Sequence, residues 1–141
     1  PFKMQVYALH KSFGLTVLAL AALRLLWRLL AGCPDDVPGP RLQTMAAKAV
    51  HVALYALLFA MPLSGWLFNS AAGFPLRWFG LVSLPKLFTG YNPGLKQLAG
   101  EIHETGFYIL AALLLVHAGA ALFHHYIKRD DTLKRMTGKM P

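Results

Sequence analysis

The chain is short of charge. Only 14% of its 141 residues are Asp, Glu, Lys or Arg, against about 25% in an average soluble domain. Acidic residues number six and cysteines one. A single cysteine, Cys33, excludes an intrachain disulfide and leaves compartment unread. There are no internal repeats and no low-complexity tracts, which excludes solenoids and linker-like chains. No nucleophile stands with a base and an orienting acid in a pattern that would support hydrolysis. One domain, 1–141, is the natural count at this length.

What is present instead is apolar. Hydrophobic residues make up 56% of the chain. They gather in three stretches, about 6–31, 45–69 and 98–127. A bilayer core takes about 20 apolar residues of helix, and each stretch reaches that length. The polar faces that three core helices of a soluble bundle would show are absent. Gly32, Pro34, Pro38, Gly39 and Pro40 end the first stretch. Pro62 lies inside the second and would kink it. The predicted fold class is all-α, a transmembrane helical bundle with three spans. Between the second and third spans, residues 70–97 carry Phe74, Trp78, Phe79, Phe88 and Tyr91, punctuated by Pro75, Pro85 and Pro93. Aromatic residues at that density suit a loop lying on the membrane surface.

The net charge of +8 would suit a nucleic-acid partner, but the cations sit at the ends of apolar stretches, where they report topology. Arg24, Arg28, Arg41, Lys48, Lys128, Arg129, Lys134, Arg135 and Lys139 fall on one side; Lys3, Lys11, Arg77, Lys86 and Lys96 fall on the other. The richer side is expected to be cytoplasmic, with the C-terminus inside and His10 entering its helix from outside. Three spans then leave residue 1 outside, and one further helix upstream would bring both ends inside. The partners expected are membrane lipid and no nucleic acid.

All six histidines lie in or at the ends of the apolar stretches. An ionisable residue there is costly, about 2.5–3.5 kcal/mol when charged, and needs a partner or a role. His103 and His117 are 14 residues apart. That is about 1400° of helix, within about 40° of one face, with a rise of about 21 Å. Two haems stacked along one bundle need ligands spaced in this way. His10 sits near the outer end of its span, as His103 does in its own. Two imidazoles facing each other at one depth fill both axial positions of a haem iron. Small residues on the His10 face, Gly14 and Ala21, leave room for a flat macrocycle or for a neighbouring helix. Arg24 and Arg28 read as boundary charges reaching headgroups; Arg24 is also a candidate contact for a haem propionate.

His51 and Tyr55 share a face of the second span, and His51 lies near the level of His124 and His125. These residues could line a quinone pocket, or the histidines could face water and headgroups. His124 and His125 point about 100° apart on a helix and cannot easily chelate one Zn²⁺ or Cu²⁺ ion; no Cys or acidic cluster assists.

The segment from His117 to Tyr126, followed by Arg129-Asp130-Asp131-Thr132-Leu133, resembles the prokaryotic cytochrome b561 family. So do His103-Glu104, His10-Lys11-Ser12-Phe13-Gly14 and Ala60-Met61-Pro62-Leu63-Ser64-Gly65. The resemblance covers essentially the whole chain. It implies a four-helix diheme cytochrome b of the bacterial inner membrane, with the three spans here matching its helices 2–4. It implies haem b as cofactor, one outer and one inner, and electron exchange with ubiquinone or a similar quinone. One branch of the family is described as oxidising superoxide. By resemblance His10 and His103 are ligands of the outer haem, and His117 is a ligand of the inner one. The partner of His117 would come from the family's first helix, which this sequence lacks; within it His51 could substitute across from His117, or the inner site could be empty. The activity expected is an oxidoreductase passing electrons from a periplasmic donor, such as superoxide, to quinone. The alternative is a haem b anchor subunit for a periplasmic hydrogenase or formate dehydrogenase.

Overall fold

The computed structural model of the chain describes residues 2–32 and 40–128. The breakers from Pro34 to Gly39 and the basic residues from Arg129 onward lie outside them. Three long helices are present: α1, Phe2–Ala31; α2, Arg41–Ala71; and α3, Pro93–Phe123. A π-helical turn, His124–Lys128, continues α3. At about 1.5 Å per residue, α1 with its 30 residues is about 45 Å long. That exceeds a hydrocarbon core of about 30 Å.

What is buried and what is exposed are reversed from a water-soluble protein. Leu29, Leu115 and Val116 are 74, 75 and 61% exposed, while Ser12, Ser64, Asn69 and Ser70 are buried. In lipid the large apolar side chains face the solvent, and small or hydrogen-bonded residues make the helix contacts. Among the described residues, no buried side-chain nitrogen or oxygen is without a partner.

The helix ends follow from local chemistry. Ser64 and, near its C-terminal end, Ser70 are buried residues of α2, and α2 runs two residues past the expected limit of Asn69. Asn69 Nδ2 then donates to Phe74 O at 3.0 Å, and the Phe74 N–H returns to Asn69 O. At the start of α3, Asn92 Oδ1 accepts from Leu95 N at 2.9 Å. An asparagine cap followed by proline in the first helical position starts a helix well, so α3 begins five residues before the expected 98.

The connection between α2 and α3 contains a feature not predicted as strand. β1, Leu76–Trp78, pairs antiparallel with β2, Val82–Leu84, in the register Leu76↔Leu84. Three-residue strands carry too little pattern to be read from sequence.

By their contacts the residues form two compact units. One comprises Pro1–Cys33 and Tyr55–Tyr108; the other comprises Pro34–Leu54 and Ile109–Pro141. The first contains α1, the hairpin, the C-terminal part of α2 and the N-terminal part of α3. The second contains the remaining parts of α2 and α3.

Candidate haem-binding site

In the first unit, α1 presents His10 and α3 presents His103, with ring centres 5.9 Å apart and planes at 82°. His103 Nδ1 lies 2.9 Å from the backbone carbonyl of Met61 and 3.0 Å from Ser64 Oγ. A carbonyl only accepts, so the proton belongs on Nδ1. Ser64 Oγ spends its own proton on the same Met61 carbonyl at 2.9 Å. It therefore meets His103 as a second acceptor, which points to the same tautomer. The Nε2 lone pair of His103 is then available for a metal. Metal-bound histidines are commonly fixed in this way, with the distal N–H given to a carbonyl.

A cleft opens beside the pair. Gly14, Leu15, Pro62, Gly65 and Leu76 give it an apolar lining, and Lys11 stands in its wall. Gly14 would meet nothing within 4 Å if it carried a Cβ. Its missing side chain thus leaves open space rather than a close helix contact. Gly65 is different: a Cβ there would lie 3.2 Å from His103 Cε1 and 3.4 Å from Nδ1. The imidazole occupies the place of that side chain.

In the second unit, α2 presents His51 and α3 presents His117, with ring centres 5.3 Å apart and planes at 69°.

A family model described as "Prokaryotic cytochrome b561" matches residues 1–139. The chain belongs to the prokaryotic cytochrome b561 family. It is 39% identical to cytochrome b561 homolog 2 of Escherichia coli K12 over 93% of this chain and 70% of that protein. It is 38% identical to cytochrome b561 homolog 1 of the same organism, over 90% of this chain and 72% of that protein. A third relative, 30% identical over 93% of this chain and 74% of that protein, is named probable superoxide oxidase CybB, from Yersinia pestis. The chain is thus a multi-pass membrane cytochrome, and membership of the b561 family implies haem b and electron transport.

The first unit fits that cofactor. A metal–imidazole bond is about 2 Å and a ring nitrogen lies about 1.1 Å from its ring centre, so two imidazoles across one iron have centres about 6 Å apart. The His10–His103 separation of 5.9 Å meets this value. The His51–His117 pair, at 5.3 Å, would have to open by most of an ångström.

The other candidate residues have partners of their own. Arg24 Nε donates to Tyr55 OH at 2.9 Å, and the Arg28 guanidinium lies 5.7 Å from the Tyr55 ring centre. Tyr55 therefore serves the arginines of its own unit. In the second unit, Lys128 Nζ donates to Gln43 Oε1 at 3.3 Å, which turns the amide so that Gln43 Nε2 donates to His124 Nε2 at 2.8 Å. His125 stacks edge-on with Tyr126, ring centres 4.8 Å apart.

Ser64, Gly65, the Met61 carbonyl and Gln43 were not singled out from sequence as site residues. Ser64 and Gly65 were visible as a polar and a small residue inside an apolar span. A serine in such a helix usually satisfies itself on its own backbone, which hides any second role.

Proposed function

We infer that this cytochrome takes electrons from a donor on the periplasmic side of the bacterial inner membrane and delivers them to the quinone pool through haem b. The observation that carries the reading is His103: its Nδ1 is committed to the Met61 carbonyl, and its ring stands 5.9 Å from that of His10. In this reading His10 and His103 would hold the iron of one haem. Bound haem supplies one-electron chemistry at a potential set by its ligands and surroundings. The chain holds the two imidazoles at the right separation, fixes the His103 tautomer and leaves the macrocycle its space at Gly14.

His117 is the ligand of a second haem. His51, close beside it, and His124, held by Gln43, are assigned to quinone. The short His51–His117 separation favours this over a shared iron. Imidazoles at that end can hydrogen-bond a quinone oxygen and exchange the protons that quinone reduction requires.

For the donor, the name of the Yersinia pestis relative points to superoxide. Lys11 supports an anionic donor, because it lies in the wall of the cleft that holds His10 and His103. Two other cations of that side are engaged within the protein. Lys86 donates to Gly73 O at 2.7 Å, and Lys96 lies over Phe68 at 5.6 Å.

The test is haem stoichiometry and quinone reduction by the purified protein. His10→Ala and His103→Ala are each expected to lose the same haem, and quinone reduction with it. Full haem content in either variant would remove the site. Quinone reduction by the isolated cytochrome separates this reading from an anchor subunit, which instead predicts co-purification with a large metalloenzyme.

A further inference from the structure

The hairpin grips α1 through two hydroxyls that electron transfer does not itself require. Ser12 Oγ donates to Ala8 O at 2.8 Å and accepts the Phe79 N–H at 2.9 Å. Thr16 Oγ1 donates to Ser12 O at 2.9 Å and accepts Trp78 Nε1–H at 3.0 Å. The arrangement is the same twice, one helical turn apart. Each hydroxyl gives its proton to its own helix and turns a lone pair to the hairpin. Ser12 is 2% exposed.

The turn itself is built against local preference. Leu81 N–H donates to Trp78 O at 2.9 Å, with Phe79 at φ +47° and Gly80 at φ +73° between them. Glycine suits the second of these positions; phenylalanine is a poor choice for the first, where Asn, Asp or Gly are preferred. Phe79 is held there from outside the turn, by Ser12 and by an edge-on contact with Phe13, ring centres 5.6 Å apart. A strained residue persists when its surroundings over-determine it, and such residues cluster at functional sites.

The direction of the grip relates it to the haem ligand. At 100° per residue, Ser12 and Thr16 lie about 200° and 240° around α1 from His10. The hairpin therefore holds α1 from behind while His10 faces His103. Leu76, at the start of the same hairpin, lines the cleft.

We propose that Ser12 and Thr16 are positioning residues for His10, latching α1 to the Trp78–Phe79 turn and so fixing the rotation and depth at which this imidazole meets iron. The proposal rests on His10 being a haem ligand. A loosened latch lets His10 leave the iron more often. Carbon monoxide reads that event, because it binds ferrous haem only where an axial imidazole has dissociated.

The experiment uses the full chain with its haem, in detergent, comparing Thr16→Val, Ser12→Ala and Trp78→Phe. Each is expected to retain haem, to bind CO roughly three- to tenfold faster after reduction, as the loss of one hydrogen bond would give, and to shift the potential of one haem. Thr16→Val with Trp78→Phe should do no more than either alone, because both remove one bond. Thr16→Ser keeps the hydroxyl and should match the parent. Unchanged CO rates and potentials overturn the latch, as do additive effects of Thr16→Val and Trp78→Phe, or a Thr16→Ser protein as fast as Thr16→Val. If Ser12→Ala does not fold, Thr16→Val and Trp78→Phe still test the latch through its second bond. His10→Ala separates the two levels. If it keeps both haem and the CO rate, the ligand assignment has failed; if it loses haem while the latch variants behave as the parent, only the latch has failed.

Discussion

Gly65→Ala adds one methyl group at the point where α2 and His103 are closest. By helix propensity alone the change should stabilise α2, since alanine exceeds glycine by about 0.8–1 kcal/mol in a helix interior. The new Cβ would stand 3.2 Å from His103 Cε1 and 3.4 Å from Nδ1. Ordinary carbon contacts lie at about 3.5–4.0 Å, so the ring must retreat by about 0.3 Å or more. Its two bonds, 2.9 Å to Met61 O and 3.0 Å to Ser64 Oγ, then stretch toward the limit of useful length. Overpacking of this kind costs about 1–3 kcal/mol. The two effects nearly cancel in the apoprotein, but they do not cancel in the haem-loaded state if, as proposed, His103 also holds iron. The expected result is near-normal folding by circular dichroism, together with lower haem occupancy and a shifted potential for one haem. A Gly65→Ala protein with unchanged haem occupancy and both potentials unmoved would refute the placement of His103 as a ligand braced against α2.

Other substitutions test separate parts of the reasoning. Ser64→Ala leaves Met61 O as the single acceptor for His103 Nδ1; it should cost about 0.5–1.5 kcal/mol in thermal unfolding of the loaded protein, with haem retained. Gly14→Ala meets no protein atom and should be tolerated, whereas Gly14→Leu fills the cleft and should lower the haem-to-protein ratio without loss of helix. Tyr55→Phe removes the acceptor of an exposed Arg24 hydrogen bond and should cost less than about 1 kcal/mol; loss of haem in this variant would show that the pair serves the cofactor.

The spans were legible because lipid imposes length and apolarity on every membrane helix and asks little of their order. The facing of His10 and His103 was legible for a related reason. Helix rise converts sequence position into depth, and two imidazoles that face each other must match in depth. The hairpin was not legible, because Phe79 takes a turn position that its own chemistry disfavours, and only the tertiary bond to Ser12 explains it. Nor could the sequence show which group Tyr55 bonds. Shared helix face placed it with His51, while its hydroxyl accepts from Arg24 on a different helix. Gln43 acquires a role only once Lys128 orients its amide, and that pairing spans 85 residues of sequence.

Met61, Ser64 and Gly65 become intelligible as one notch. In an α-helix, residues i, i+3 and i+4 share a face, so Ser64 and Gly65 stand over the Met61 carbonyl. A helix carbonyl can accept beyond its own ladder if nothing covers it, and Met61 O meets both the Ser64 hydroxyl and the His103 N–H. Any side chain at Gly65 would cover it, while the Ser64 hydroxyl flanks it and is the right length to meet an incoming imidazole. The result is a backbone acceptor recessed into a lipid-embedded helix, open on one side only, with His103 in it. Such an acceptor cannot drift as a side-chain carboxylate could, and it adds no charge to the apolar interior. A ligand histidine fixed by a neutral backbone group keeps the iron's surroundings less negative than one fixed by Asp or Glu, which favours the reduced state of the haem. Gly65→Asp, by the same reasoning, should lower the potential of any haem it still permits, in the direction opposite to that expected from burial alone.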